Sequence, residues 1–275
     1  MPTIQRITSA DDPRVAAYRG ISDPALFRSS GLFAAEGRLV VKRLLSDPRF
    51  HVQSLLLNDA AYRDLTPLVD RAPAATEVLL CESSDFLGIT GVNIHRGCLA
   101  LVQRPQPAQL VDVIAGARRV VLLDGVGNPD NVGSIFRNAA ALGADAVIVG
   151  PGSCDPLYRK SIRTSMGAVL RVPFAYADEL TRAMAAMRAE GLTCVALTPR
   201  EPSELIDEFG ARASGQRLAL FVGAEGDGLT PAIESSSDAR VRIPIADAVD
   251  SLNVGMAVGI ALYALRPESS QKRRV

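Results

Sequence analysis

VVLLDGVGNPDNVGSIFRNAAALGADAVIVG, residues 120–150, decides the fold class. Val120–Leu123 and Ala146–Val149 are short apolar runs of the length and branching that suit buried parallel strands. Between them Ser134–Leu142 has helical spacing and stops at Gly143. Strand, crossover helix and strand make a βαβ unit. The turn before the helix carries Gly125, Gly127, Gly133 and Asn131, so backbone and amide groups converge at a strand's C-terminal end, where open α/β sheets bind ligands. A dinucleotide fold is disfavoured, because the glycines run G-x-G and the next comes only at Gly133, too late for G-x-G-x-x-G. No phosphate loop of the G-x-x-x-x-G-K-[ST] type occurs either. The helix also carries Arg137, a lone cation on an otherwise apolar element.

Composition frames the rest. The chain has 275 residues, 48% of them hydrophobic, enough for two modest domains with cores of their own. The longest apolar stretch, Val254–Leu265, is too short to cross a bilayer, and a cytoplasmic protein is expected. Cys81, Cys98, Cys154 and Cys194 are scattered without a C-x-x-C pair, which favours reduced thiols over zinc or disulfides. With only two histidines, His51 and His95, there is little material for a metal site or a Ser-His-Asp relay, and none is expected. Lysine and arginine number 30 against 30 acidic residues, so nucleic-acid binding must rest on local patches. The candidates are Arg38, Lys42 and Arg43; Arg159, Lys160 and Arg163; and Lys272, Arg273 and Arg274. Taken alone, each reads more readily as a solvated helix face or a flexible terminus.

Residues 1–107 read as a small α/β domain, with a helix over Phe33–Leu45 and strands at Val52–Leu57, Glu77–Leu80 and Gly97–Val102. The proline-rich stretch Gln103–Gln109 reads as a linker. Residues 108–275 form the second domain. After the opening unit come a basic segment Tyr158–Ser165, a strand near Val169–Phe174 and a helix Asp178–Glu190. Strands Thr193–Leu197, Leu218–Val222 and Val241–Ile245 and a long apolar helix Leu252–Leu265 follow. Thr198-Pro199, Gly223-Ala224-Glu225-Gly226 and Ile243-Pro244-Ile245 each follow an apolar strand, so the three turns gather at the C-terminal edge of one parallel sheet. Such a rim suits a flat heterocycle held by backbone groups between apolar side chains more than a polyphosphate, which calls for lysine or arginine.

The last helix opens at Asp250-Ser251-Leu252-Asn253, where serine or asparagine serves as a cap, yet capping explains only one of them. Its apolar residues run all round, as in a buried helix, and Gly255 and Gly259 permit close packing, within the chain or across a dimer. NPDNVGSIFRNAAALGADAVIVG, LFVGAEGDGL and VRIPIADAVDSLNVGMAVGIALY together resemble, in order, the three signature motifs of the SpoU family of RNA ribose 2′-O-methyltransferases. FAAEGRLVVKRLL and the stretch ending HRGCLALVQRP resemble, more weakly, the RNA substrate-binding domain of the family's ribosomal-RNA members. Ala224 stands where many relatives carry asparagine and Gly255 where many carry serine, so neither side chain is assigned a role.

The resemblance implies an α/β methyltransferase domain whose parallel sheet is threaded into a trefoil knot, a rare exception to unthreaded topology. It also implies S-adenosyl-L-methionine as cofactor and a homodimer. Gly223, Ile243 and Leu252 would contact the cofactor, with Thr198, Glu225, Gly226 and Ile245 lining the same pocket. Arg137, Asn131, Glu225, Ser251 and Asn253 match the polar residues of the family's active site, while Arg38, Arg159, Lys160 and Arg163 are the RNA-binding candidates. Taken singly, Asn131 reads as a turn residue, Glu225 as a loop carboxylate and Ser251 as a cap. Arg137 is the implied activator of the ribose hydroxyl, but free guanidinium titrates above about 12, so a charged Arg137 that binds phosphate and polarises the hydroxyl is preferred to a neutral base. Asn131 and Asn253 are expected to orient it, and Glu225 to pair with it or to hold backbone N–H groups. Structured RNA is the implied substrate, ribosomal RNA ahead of transfer RNA. A non-catalytic RNA-binding protein is the alternative of another class, and a nicotinamide oxidoreductase is the third.

Overall fold

The computed structural model describes residues 2–19, 23–91, 97–246 and 248–266. His95, Lys272, Arg273 and Arg274 lie outside the described residues. The chain forms two compact units, Met1–Gln106 with Leu157–Gly167, and Pro107–Pro156 with Ala168–Val275. The basic segment near Arg159 thus belongs with the N-terminal unit, although both its sequence neighbours lie in the second.

The first unit contains β1 (Thr3–Arg6), α1 (Asp23–Ser30), β2 (Leu32–Glu36), α2 (Arg38–Ser46), β3 (Val52–Leu57), α3 (Asp59–Val69), β4 (Glu77–Leu80), α4 (Asp85–Thr90) and β5 (Cys98–Gln103). Its sheet runs β1-β4-β3-β5-β2, with β5 antiparallel to both neighbours. Leu32, Ala34, Leu56, Leu79, Leu99 and Leu101 fill one core, closed by Tyr18, whose hydroxyl meets Ser54 Oγ at 2.6 Å. The helix expected over Phe33–Leu45 is instead β2 followed by α2. All five β2 residues are buried, and a short run buried on both faces carries no period by which to tell strand from helix. Gly37, at φ 95°, makes the turn between them.

The second unit contains α5 (Leu110–Ile114), β6 (Arg119–Asp124), α6 (Pro129–Leu142) and β7 (Ala146–Val149). After α7 (Arg159–Thr164), which lies in the first unit, it continues with β8 (Phe174–Tyr176), α8 (Leu180–Ala189), β9 (Thr193–Leu197) and β10 (Glu204–Leu205). It ends with α9 (Ile206–Arg212), β11 (Leu218–Gly223), α10 (Pro231–Ser236), β12 (Ala239–Arg242) and α11 (Val254–Ala264). The sheet runs β10-β12-β9-β11-β6-β7-β8 and every adjacent pair is parallel. Val120, Leu122, Ile148, Cys194 and Phe221 point to one core, while Val121, Leu123, Val147, Val195 and Leu220 are equally buried on the other face. Burial of both faces is why these strands read as unbroken apolar runs.

Element ends differ from the sequence reading in ways that matter for the site. Helix α6 begins at Pro129, five residues before the expected Ser134, with Asn128 as cap accepting from Asp130 N at 2.8 Å. Asn131 therefore sits inside the first turn rather than in the loop. The strand expected near Val169–Phe174 is a 3-10 turn, Ala168–Leu170, ahead of β8. The strand expected over Val241–Ile245 is β12 and ends at Arg242, before Pro244, which has no N–H for a sheet ladder.

Helices α6 and α11 pack closely. A Cβ on Gly255 would come within 2.6 Å of Ser134 Oγ and 2.8 Å of Ser134 Cβ, and one on Gly259 within 3.0 Å of Asn138 Nδ2. Asn138 donates to Gly255 O at 2.7 Å, and Arg119 donates to the carbonyls of Leu142 (2.6 Å) and Leu262 (3.1 Å), joining the C-terminal ends of both helices. The glycine pair thus serves packing within the chain. The expectation that α11 is buried all round is corrected: Met256, Ile260 and Tyr263 are 60%, 39% and 57% exposed.

All four cysteines are buried and none is in a disulfide, and burial pushes the Cys81 and Cys98 thiols up to about 12. Among the described residues no helix is long and apolar enough to cross a membrane. Gly255→Ala is expected to destabilise the protein by about 1–3 kcal/mol through overpacking, and Ser134→Gly in the same chain to restore most of the loss. Urea unfolding of the single and double variants measures both.

Candidate active site

Three adjacent strands, β12, β9 and β11, end side by side and their following turns enclose a cavity of about 390 Å³, within the range of small-molecule sites. Thr198, Gly223, Glu225, Gly226, Ile243, Ile245 and Leu252, all seven candidates for cofactor contact, line it. Leu197, Val222, Val254 and Ala257 add apolar wall. The floor is a tight loop: Gly228 N donates to Ala224 O at 3.0 Å, and a Cβ on Gly223 would fall 2.0 Å from the Gly228 carbonyl carbon. Only glycine at 223 lets the loop close so tightly.

Asn253 joins this cavity to α6. Its Oδ1 caps α11, accepting from Gly255 N at 3.0 Å and Met256 N at 3.3 Å. That fixes the amide's orientation, so Nδ2 must donate outward, to Asn131 Oδ1 at 2.8 Å and Glu225 Oε1 at 3.1 Å. Asn131 is buried, 4% exposed, and the same logic turns its Nδ2 away from Asn253, where it is buried without a hydrogen-bond partner among the described residues. Leaving a buried amide donor unmet costs roughly 1–3 kcal/mol. Three sequence-distant candidates, Asn131, Glu225 and Asn253, are thus brought into one hydrogen-bonded chain.

Other candidates are placed differently. Ser251 lines the cavity but is not the cap of α11, a position Asn253 holds. Arg137 is exposed on α6, six residues and about 9 Å of helix beyond Asn131. It does not line the cavity, and it pairs with neither Glu225 nor any other described residue. Asn131 and Asn253 hold each other rather than Arg137. Thr198 lines the cavity, but its hydroxyl is spent on Glu234 Oε1 at 2.9 Å.

The RNA-binding candidates lie in the first unit. Arg159 and Arg163, on α7, both face Glu36 at the end of β2, with Nη1 to carboxylate distances of 3.6 and 2.9 Å; Glu36 is nearly buried. Lys160 is exposed between them. Lys42 pairs with Asp64 at 2.7 Å, and Arg43 donates to the Met166 carbonyl. Arg38 opens α2, half-buried, with a buried Nε that has no partner among the described residues. Residues the sequence reading missed are Asn128, announced by the Asn-Pro pair that starts α6, and the partners Arg200 and Glu234. Nothing in PAIESS marks Glu234 as a buried acid. Among the described residues no group of three or more His, Cys, Asp or Glu side chains could hold a metal ion.

Residues 118–263 match the SpoU rRNA methylase family model. The chain belongs to that family. An uncharacterized tRNA/rRNA methyltransferase of Mycobacterium tuberculosis is 40% identical over 94% of this chain and 91% of its own length. The 23S rRNA (guanosine(2553)-2′-O)-methyltransferase RlmP of Bacillus subtilis is 26% identical over 96% of this chain and its whole length, 100%. Among solved structures, the SpoU methyltransferase AviRb of Streptomyces viridochromogenes, in complex with AdoMet, superposes with a TM-score of 0.75 at 25% identity, covering 92% of this chain and 97% of its own. The α/β parallel-sheet architecture is thus that of SpoU methyltransferases.

Asn253→Ser separates capping from the link across the site in this SpoU protein. Serine keeps the cap, so stability is expected to stay within about 1 kcal/mol. It gives up both amide donors, so exchange of the Glu225 and Gly226 backbone amides is expected to rise, as hydrogen-exchange mass spectrometry reports.

Proposed function

We propose that this protein is an S-adenosylmethionine-dependent RNA 2′-O-ribose methyltransferase acting on ribosomal RNA. One observation carries the reading: six residues at or after three strand ends, with Leu252 ahead of α11, line one mostly apolar cavity, and Asn253 ties that cavity to the helix bearing Arg137. The walls fit the cofactor, since Leu197, Val222 and Ile243 suit a flat purine while the 223–226 backbone offers hydrogen bonds to its edge. When bound, S-adenosylmethionine supplies an electrophilic methyl group for an in-line displacement by a ribose oxygen.

The chain's own groups then position and polarise. Arg137, exposed and unpaired among the described residues, serves as a charged fork that grips the phosphate next to the target ribose and polarises its 2′-hydroxyl. The proton leaves to water or a neighbouring group. Asn131 holds Asn253 in place through its Oδ1, while Asn253 and Glu225 hold the loop in register. Ser251, on the cavity wall beside Leu252, is a polar group available to the substrate.

The N-terminal unit, residues 1–106 with 157–167, acts as the RNA substrate-binding domain, with Arg38, Arg159, Lys160 and Arg163 meeting phosphates. Glu36 pre-orients the two α7 arginines without cancelling the cluster, since one carboxylate faces several cations. Ribosomal RNA is favoured over transfer RNA because the Bacillus subtilis relative, matched along its whole length, acts on 23S rRNA by name. The protein works in the cytoplasm as a homodimer. Supporting the dimer, Met256, Ile260 and Tyr263 recur at i, i+4 and i+7 and leave one face of α11 apolar and open. The trefoil knot follows from the family likeness, and it agrees with the path from β12 past the cavity to α11 against α6.

Tritium transfer from labelled cofactor to RNA, followed by mapping of ribose methylation, tests the reading. Incorporation at a single 2′-hydroxyl of ribosomal RNA is expected; binding without transfer leaves the non-catalytic alternative. Arg137→Lys is expected to cut turnover by about 10²-fold or more with cofactor affinity kept, because an ammonium cannot reproduce the planar fork. Near-normal turnover would remove Arg137 from this role. Arg163→Gln is expected to weaken RNA binding and lower its log–log salt slope by about 1. Filter binding between low and moderate salt measures it.

A further inference from the structure

One buried carboxylate links two rims of the cavity. Glu234, on α10, is 6% exposed. Its Oε1 accepts from the Thr198 hydroxyl at 2.9 Å, and its Oε2 accepts from Arg200 Nη1 at 2.7 Å. Arg200 N in turn donates to Thr198 Oγ1 at 3.2 Å, which closes a small ring of bonds after β9. Beyond that ring the guanidinium reaches the floor loop, where Nη1 donates to Leu229 O at 3.2 Å and Nη2 to Asp227 O at 2.5 Å. The loop residues so gripped directly follow Glu225 and Gly226, which line the cavity.

We propose that Arg200, anchored by Glu234, is a positioning residue that holds the 224–229 loop in its cofactor-receiving shape before any cofactor arrives. The inference rests on the proposed cofactor site; Arg200 also lines the cavity, and the role argued for it is the hold on the loop, which amide exchange in the cofactor-free protein reports apart from any direct contact. The loop contains positive-φ glycines at 226 and 228 and has few side-chain ties of its own. Asn253 holds it at Glu225 and Arg200 holds its far half. A buried carboxyl group would be costly alone, so Thr198 and Arg200 are needed to satisfy it, and their bonds to Glu234 fix the guanidinium in place. Free chain ends of such a loop would otherwise be ordered only on binding, which lowers affinity.

Arg200→Met keeps the side-chain stem and removes every donor. Because Arg200→Met would strip the buried Glu234 carboxyl of its cation, it is made together with Glu234→Gln so that the protein folds, and Arg200→Lys, which keeps the charge toward Glu234 but cannot reach both carbonyls, is the second probe. S-adenosylhomocysteine titrated calorimetrically into the full-length protein is expected to bind the double variant about tenfold more weakly than wild type, with Arg200→Lys between the two. The cofactor KM should rise more than kcat falls, and affinity for RNA in the absence of cofactor should stay put. Backbone amides of Glu225–Gly228 should exchange faster in the cofactor-free double variant. If wild-type protein bound no S-adenosylhomocysteine yet these amides still exchanged faster in the variant, the clamp would stand and the proposed function alone would fall. Unchanged exchange together with unchanged affinity overturns the clamp, as does a parallel loss of cofactor and RNA binding with a lowered melting temperature, the mark of a merely structural arginine.

Discussion

The second unit's site depends on the two ends of one amide, that of Asn253. Its oxygen satisfies the first free N–H groups of α11, and this obligation leaves its nitrogen no freedom but to donate outward. The outward bonds reach Asn131 and Glu225, residues 122 and 28 positions away in the chain. A requirement of helix termination thus sets the relation among the last helix, the first crossover helix and the turn after β11. No alternative rotamer of the amide satisfies all four partners.

Around that bond the sheet supplies the frame. Parallel strands buried on both faces leave nothing polar along their lengths, so chemistry collects at their ends. Apolar walls come from the strand ends themselves, backbone groups from the turns. The charged and amide groups come from helices at the margin. The cavity can therefore hold an uncharged heterocycle firmly while the polar groups that act on a second substrate stay at its edge. Thr198 illustrates the division: its position is in the cavity, but its hydroxyl belongs to the scaffold through Glu234.

Much of this was legible in the chain. The βαβ opening, strand Thr193–Leu197 and the gathering of three turns at one sheet edge followed from apolar run length and from the glycine and proline that end each run. Six of the seven cofactor candidates lie in turns that pattern alone placed at the rim, whereas Leu252, and which turn residues would meet a cofactor, were nameable only through resemblance to a family. The errors have physical causes. Phe33–Glu36 was read as helix because a five-residue strand buried on both faces has no alternation to betray it. The start of α6 was set too late because Val132 and Gly133 weaken the apolar period, although Asn128-Pro129 is a capping signal in its own right. The pairing of Arg159 and Arg163 with Glu36 spans more than a hundred residues and leaves no local mark. Arg200 and Glu234, 34 residues apart, likewise leave no local mark. Exposure of Met256, Ile260 and Tyr263 could not be anticipated either, since an apolar helix reads alike whether its partner is the same chain or another.

The most direct test is a crystal structure of the protein grown with S-adenosylhomocysteine. The account predicts the purine among Leu197, Val222 and Ile243, with the Asn253 amide still joining Asn131 to Glu225. A nucleoside bound away from the ends of β9, β11 and β12, or an Asn253 turned out of that bond, would contradict it.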